Sequence, residues 1–444
     1  MLTSQGPVTA RGRDAMAYGL ALLHRLARLG VLDQFGLRRP TERAVFQATR
    51  TGFKTLGAVT RAFAPAKKRL AEPVRPRVTT SSGLFDLTPT DDQQMMVEVV
   101  REFAAEQLRP AAAAANDSAK SPTYLLEKIA ELGLNDIGVP ESLGGAGDER
   151  SAVTNVLIAE ELARGDMGLA VACLAPTAVA TALTLWGNED QQATYLPAFV
   201  SEHAPTAALA ILEPRPMFDP FRPRTKARRT LGGFTIEGTK SLVPRAADAE
   251  LFVIAAVLEG SPALFLVESS NTRLTIEAEP AMGVRAASMG RVVMDEIPLP
   301  KAALLATGDA YRECVDLSRL AWCALAVGTG QAVLDYVIPY VNQREAFGEP
   351  ISHRQSVAFM VADIGIELDG MRLVTHRAAS RAAQGKSFAR ETALAHRLCA
   401  ERGMVIGSHG VQLLGGHGFV KEHPVERWYR DLRAIAVMEG GVLV

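Results

Sequence analysis

Leu251-Phe252-Val253-Ile254-Ala255-Ala256-Val257 holds no polar residue, and Ala263-Leu264-Phe265-Leu266-Val267 repeats that character after a short polar break. Brief apolar runs rich in β-branched and aromatic side chains favour strands over helices. Phe234-Thr235-Ile236, Leu274-Thr275-Ile276 and Val292-Val293-Met294 read the same way, and Gly232-Gly233 supplies a hairpin-like turn. Residues 206–303 are therefore expected to form a β domain, an antiparallel barrel or sandwich.

On either side the spacing becomes helical. Over residues 88–205, Met95, Val99 and Phe103 and then Leu125, Ile129 and Leu132 recur at helical intervals, interrupted by the turn-rich Val139-Pro140-Glu141-Ser142-Leu143-Gly144-Gly145. Over residues 304–444, Val357, Met360, Ile364, Leu368 and Met371 share one face of a long helix, which predicts a helix bundle. The chain is thus read as an α+β multidomain protein in the order α, β, α. Residues 1–87 form a separate basic helical extension and linker.

A length of 444 residues with 48% hydrophobic and 22% charged content is enough for two or three domains with a large core. The four cysteines, Cys173, Cys314, Cys323 and Cys399, have no paired spacing, so neither a disulfide framework nor a metal site is indicated. Net charge is −1, but residues 1–80 carry 15 Lys+Arg against 4 Asp+Glu, leaving 33 against 45 in the rest. No nucleic-acid partner is expected of this acidic body.

In the extension, Phe53, Leu56, Val59 and Phe63 would lie on one side of a helix begun by Thr41, with Arg43, Arg50, Lys54 and Arg61 on another. Such a basic amphipathic helix fits peripheral contact with an anionic membrane, or docking on the body with its basic edge in water. A second basic helix is expected from about Arg13 to Leu29, and Pro65, Pro73 and Pro76 punctuate the linker. The first twenty residues lack the basic start, apolar block and cleavage site of a secretory signal. The cytoplasm, with membrane contact at its periphery, is the expected location, and the mitochondrial matrix is the alternative.

Two features mislead if taken alone. Met167 to Asn188 is uncharged and long enough to cross a bilayer, yet Ala and Thr dominate it and Pro176 interrupts it, so a buried helix is expected. Gly328-Thr329-Gly330 lacks the preceding strand and third glycine of a dinucleotide-binding turn.

Near the end stands Glu439, in Ala436-Val437-Met438-Glu439-Gly440-Gly441. Apolar residues before it and glycines after it suggest a desolvated carboxylate that another molecule can approach, which is what a general base requires.

The C-terminal region also contains Arg344-Glu345-Ala346-Phe347-Gly348-Glu349-Pro350-Ile351, Gln355, Gln412-Leu413-Leu414-Gly415-Gly416-His417-Gly418-Phe419, Pro424-Val425-Glu426-Arg427 and Arg430-Asp431. Upstream lie Glu160-Glu161-Leu162-Ala163-Arg164 and Gly187-Asn188-Glu189-Asp190-Gln191 leading to Tyr195-Leu196-Pro197. In order and spacing these segments resemble the FAD-dependent acyl-CoA dehydrogenases from about residue 90 onward.

That resemblance implies conversion of acyl-CoA to 2,3-enoyl-CoA, with Glu439 as the α-proton base and the flavin accepting a hydride. It places Arg344, Phe347 and Gln355 at the FAD diphosphate and adenine end, where a guanidinium suits paired phosphate oxygens. Gln412, Gly415 and Gly416 would line the same end from a neighbouring subunit of a homodimer or homotetramer. Leu212 and Pro244 fall at flavin-facing positions, and Phe218 and Gly440 beside the substrate. The family usually carries hydroxyls at the positions of Leu212, Phe218 and Pro244, and proline also lacks a backbone N–H. Gly441 replaces the usual threonine, and the chain stops before the terminal helix seen in most relatives. Residue by residue there are plainer readings: Ser352-His353-Arg354-Gln355 fits a capping box, and Gly415-Gly416 a helix C-terminus. Electron-transfer flavoprotein is the implied partner. The alternatives are a non-catalytic acyl-CoA-binding or partner subunit of the same fold, and a flavin acyl-CoA oxidase.

Overall fold

A computed structural model describes residues 87–145, 151–201 and 204–440. The two basic helices expected before residue 87 lie outside the described residues.

The chain opens with helices α1 (Asp91–Phe103), α2 (Arg109–Ser118), α3 (Thr123–Glu131), α4 (Ala152–Gly165), α5 (Met167–Trp186) and α6 (Glu189–Phe199). Thr90 and Gln93 close a reciprocal capping box that starts α1. Its buried face is Val97, Val100 and Phe103, one step round from the Met95, Val99, Phe103 stripe expected. Apolar residues fill almost every position from 95 to 100, so packing against α4, not spacing, selects the face. Helix α5 is the uncharged stretch that resembles a membrane span, and most of it is buried in the core.

Strands β1 (Ala207–Ala210), β2 (Lys226–Arg229), β3 (Gly233–Val243), β4 (Leu251–Leu258), β5 (Ser261–Glu268), β6 (Leu274–Ala278), β7 (Gly290–Pro300) and β8 (Leu304–Thr307) form one sheet. Its order is β6-β7-β3-β2-β4-β5-β8, with β1 also on β4. The ladders are antiparallel, as expected, except that β1 and β2 each run parallel to β4. The apolar run in β4 has a physical cause. Leu251, Val253 and Ala255 face the helical core, whereas Phe252, Ile254, Ala256 and Leu258 face a second core within the β domain. Both faces are covered, so alternation is lost.

Helices α7 (Gly308–Gln343), α8 (Gln355–Ala383), α9 (Ala389–Leu413) and α10 (Val425–Leu432) complete the fold, with a two-residue hairpin of β9 (Glu345–Ala346) and β10 (Glu349–Pro350) between α7 and α8. Ile364, Leu368 and Met371 are buried on α8 as expected, and Val357 and Met360 half-buried. Gly328 lies inside α7, where a Cβ would fall 1.9 Å from the Glu160 carbonyl oxygen of α4. This glycine serves close helix packing. Gln355 begins α8 without any side-chain cap, so the capping-box reading of Ser352 to Gln355 is not realised. Gly415, by contrast, follows α9 in the left-handed conformation at φ +58°.

Polar ties bind the three parts. Asp166 caps α5 by accepting from the Leu169 N–H at 3.0 Å, and it also accepts from Arg427 Nε of α10 at 3.0 Å. Asp431 accepts from the Val284 N–H of the β domain at 2.6 Å.

Candidate active site

Helix α7 supplies one wall. Its residues from Leu320 to Val333 are almost wholly buried, whereas the stretch before them is mixed, with Asp309, Arg312, Glu313, Asp316, Ser318 and Arg319. Residues four apart share a helix face, and the turn from Ser318 to Trp322 meets Glu439. Ser318 Oγ donates to Glu439 Oε1 at 2.7 Å, Trp322 Nε1 reaches the same oxygen at 3.4 Å, and Arg319 Nε donates to the Glu439 carbonyl oxygen at 3.0 Å. Glu439 is buried, and burial raises its carboxyl pKa, opposed by Ser318, Trp322 and the Arg319 charge. Nearby Asp316, also raised by burial, reaches about 6.

Glu439 and Gly440 both hold left-handed backbone, at φ +54° and +94°. A Cβ on Gly440 would lie 2.6 Å from Pro220 Cδ and 3.0 Å from the Phe218 carbonyl oxygen, so a glycine is needed there. The close fit brings Phe218 against the segment that carries Glu439. Phe218 is itself buried, under the Arg215 guanidinium. Tyr311 Oη donates to the Pro220 carbonyl at 2.5 Å and steadies the same loop.

The β domain holds the next group of expected site residues. Leu212 is buried, and its carbonyl accepts from the Ser241 N–H at 2.9 Å, so the segments holding Leu212 and Pro244 lie side by side. Glu279 secures the second segment, accepting from Ser241 Oγ at 2.8 Å and the Leu242 N–H at 2.7 Å. Beneath both lies a buried ion pair, Lys240 to Glu213 at 3.1 Å. Glu439 contributes to the field at Lys240.

Arg344, Phe347, Gln355, Gln412, Gly415 and Gly416 occupy different ground. All are exposed, and none shares a hydrogen bond or ion pair with Glu439. Phe347 is 96% exposed with its backbone left-handed at φ +58°, beneath the Arg354 guanidinium. A Cβ at Gly415 or Gly416 would meet nothing within 4 Å. Gly415 is accounted for by its left-handed backbone, whereas neither packing nor a left-handed backbone asks for glycine at Gly416. Open glycines and the surface guanidinium of Arg344 suit the diphosphate end of a dinucleotide. Leu212 and Pro244 carry side chains that cannot donate a hydrogen bond, and Pro244 has no backbone N–H either.

Sequence reasoning missed Ser318, Arg319, Trp322, Glu213 and Lys240. Ser318 and Arg319 close the mixed polar stretch with which α7 begins, after Asp309, Arg312, Glu313 and Asp316, so the local pattern does not single them out. The Glu213 and Lys240 pairing depends on strand register, which no local pattern reveals.

The chain thus has helices on both sides of a β domain, with a buried carboxylate where the last helices meet the β domain. Residues 90–203 match the acyl-CoA dehydrogenase N-terminal domain, residues 208–297 the middle domain and residues 309–441 the C-terminal domain. The chain belongs to the acyl-CoA dehydrogenase family. It is 31% identical over 361 residues to the mitochondrial short-chain specific acyl-CoA dehydrogenase of Bos taurus, covering 79% of this chain and 87% of the relative. It is 29% identical over 363 residues to an acyl-CoA dehydrogenase of Bacillus subtilis, covering 79% and 95%. Among solved structures, butyryl-CoA dehydrogenase from Megasphaera elsdenii superposes with a TM-score of 0.75 at 26% identity, covering 81% of this chain and 97% of that one.

Proposed function

We propose that this protein binds FAD and oxidises an acyl-CoA to the 2,3-enoyl-CoA, with Glu439 taking the proton from the carbon beside the thioester carbonyl. The supporting observation is the buried Glu439 carboxylate, whose pKa is raised by desolvation, the direction that favours a general base. Bound FAD supplies the acceptor for the hydride that leaves the neighbouring carbon. The chain's own groups bind and orient. Arg344, Phe347, Gln355, Gln412, Gly415 and Gly416 would hold the diphosphate and adenine end, and Leu212 and Pro244 the ring side. Phe218 and Gly440 would border the acyl thioester, and Arg319, whose Nη2 is buried with no hydrogen-bond partner among the described residues, offers a donor at the same place.

A homodimer or homotetramer accounts for further features. Phe359, Ile366 and Leu373, seven residues apart on α8, are exposed opposite the face that packs into the bundle, and Phe347 and Phe419 are exposed nearby in sequence to the proposed cofactor residues. An apolar stripe of this kind fits burial against a second copy. Electron-transfer flavoprotein is the proposed acceptor of the electrons. The basic extension would mediate any membrane contact, and the cytoplasm or the mitochondrial matrix fits as location, since relatives include both bacterial and mitochondrial proteins.

Butyryl-CoA is the substrate to try first, because two of the compared proteins carry short-chain or butyryl names. Incubation with an electron-accepting dye should give the enoyl thioester, detected by loss of two hydrogens in mass spectrometry. No product from any acyl-CoA would leave the non-catalytic reading, and turnover driven by oxygen alone would favour the oxidase.

A further inference from the structure

We propose that Ser318 and Trp322 are positioning residues that grip Glu439 through Oε1 alone, leaving Oε2 as the atom that takes the substrate proton. The proposal rests on the reading of Glu439 as the base. Both donors reach the same oxygen, at 2.7 Å and 3.4 Å, from residues four apart on α7. Among the described residues, the side-chain donors on the carboxylate are these two, both on Oε1, and the main-chain N–H of Glu439 itself also favours its charged form. Arg319, between them, fixes the main chain of the same residue through its carbonyl at 3.0 Å. One helical turn thus holds Glu439 at three points.

The direction taken by the Ser318 hydroxyl is informative. A serine or threonine inside a helix commonly donates back to a carbonyl one turn earlier. Thr329 does so on this helix, donating to the Leu325 carbonyl at 2.9 Å. Ser318 donates across to Glu439 instead. Donors on a carboxylate favour its charged form, whereas burial favours the protonated one. Ser318 and Trp322 therefore oppose the upward push of burial on this carboxyl, and they do so through Oε1. Proton transfer then needs no loss of either bond: the substrate C–H bond breaks, its proton goes to Oε2, and its electron pair remains on the substrate as the enolate.

Acetyl-CoA separates this step from oxidation, since it has hydrogens beside the carbonyl but no further carbon to lose a hydride. With flavin-loaded protein in deuterated water, exchange of those hydrogens is followed against pH by mass spectrometry. Ser318→Ala should slow exchange near neutrality by about tenfold or more, as for loss of a hydrogen bond to a charged group, with the acid limb moved to higher pH and acetyl-CoA affinity unchanged. Ser318→Thr should restore rate and profile. Trp322→Phe should move the limb the same way. The Glu439 carboxyl stretch, identified by its absence in Glu439→Gln and titrated by infrared spectroscopy without substrate, should show the same upward shift.

If the wild type exchanges, Glu439→Gln does not, and Ser318→Ala and Trp322→Phe both match the wild type, the positioning role is overturned while the base assignment stands. Failure of Ser318→Thr to restore exchange in folded, flavin-loaded protein also overturns it. If wild type and Glu439→Gln exchange alike, the base assignment itself fails and the proposal falls with it.

Discussion

Lys240 Nζ lies 3.1 Å from Glu213 Oε1, with 0% and 4% of the two side chains open to solvent. Lys240 also donates to the Ile211 carbonyl at 3.0 Å, and Glu213 accepts from the Thr225 N–H and hydroxyl, each at 2.8 Å. Burial pulls the Lys240 ammonium down to about 8, still charged at neutral pH. For Glu213, burial works in the opposite direction, but Lys240 and the backbone donors hold it below its usual range. Leu212 precedes one partner and Ser241 follows the other, so the pair underlies both proposed flavin-facing segments.

Removing one partner leaves the other charge buried and alone. Lys240→Met is expected to cost about 3–5 kcal/mol, read as a lower urea midpoint. Lys240→Met combined with Glu213→Leu should cost less than the sum of the single changes.

At Gly440, Ala would place a Cβ 2.6 Å from Pro220 Cδ while the backbone stays at φ +94°. Overpacking and a strained backbone together should cost about 1–3 kcal/mol. The larger effect should fall on turnover, because the adjoining Glu439 must move. Steady-state kinetics should show a lower kcat with binding less affected.

Asp431 provides a pH test of the junction between domains. Burial, then the Asp166 charge, pushes its carboxyl up to about 7, against about 3.9 in an unfolded chain. The folded state binds this proton more tightly, so the contribution to stability is fully present below about pH 4 and is lost as pH rises through 7. Asp431→Asn keeps an acceptor for the Val284 N–H and should flatten the fall in stability over that window. Urea unfolding at several pH values measures the slope.

Gly416→Val tests the surface assigned to the cofactor. A Cβ there meets nothing within 4 Å, so thermal stability of the flavin-free protein should change by less than about 0.5 kcal/mol. The ratio of flavin to protein absorbance should drop, and Arg344→Gln should lower it similarly. Unchanged flavin content in both variants would remove these residues from the site.

The α, β, α order was legible because the period of the apolar residues changes near residues 206 and 303, and because β4 carries an unbroken apolar run. The motif around Glu439 was legible as well. Less was readable where several solutions fit one local pattern. Val97 and Val100 won over Met95 and Val99 on α1 through packing, and the parallel pairing of β1 and β2 with β4 depends on a distant strand. Ser318 and Trp322 were invisible for a similar reason. Their partner lies more than a hundred residues away, and only the folded chain brings the two together.

The most direct test is anaerobic addition of butyryl-CoA to the flavin-loaded protein, with the flavin absorbance recorded for the wild type and for Glu439→Gln. The wild type should bleach, whereas Glu439→Gln should keep its flavin, bind the thioester and not bleach. Bleaching of Glu439→Gln at the wild-type rate would contradict the reading of Glu439 as the base.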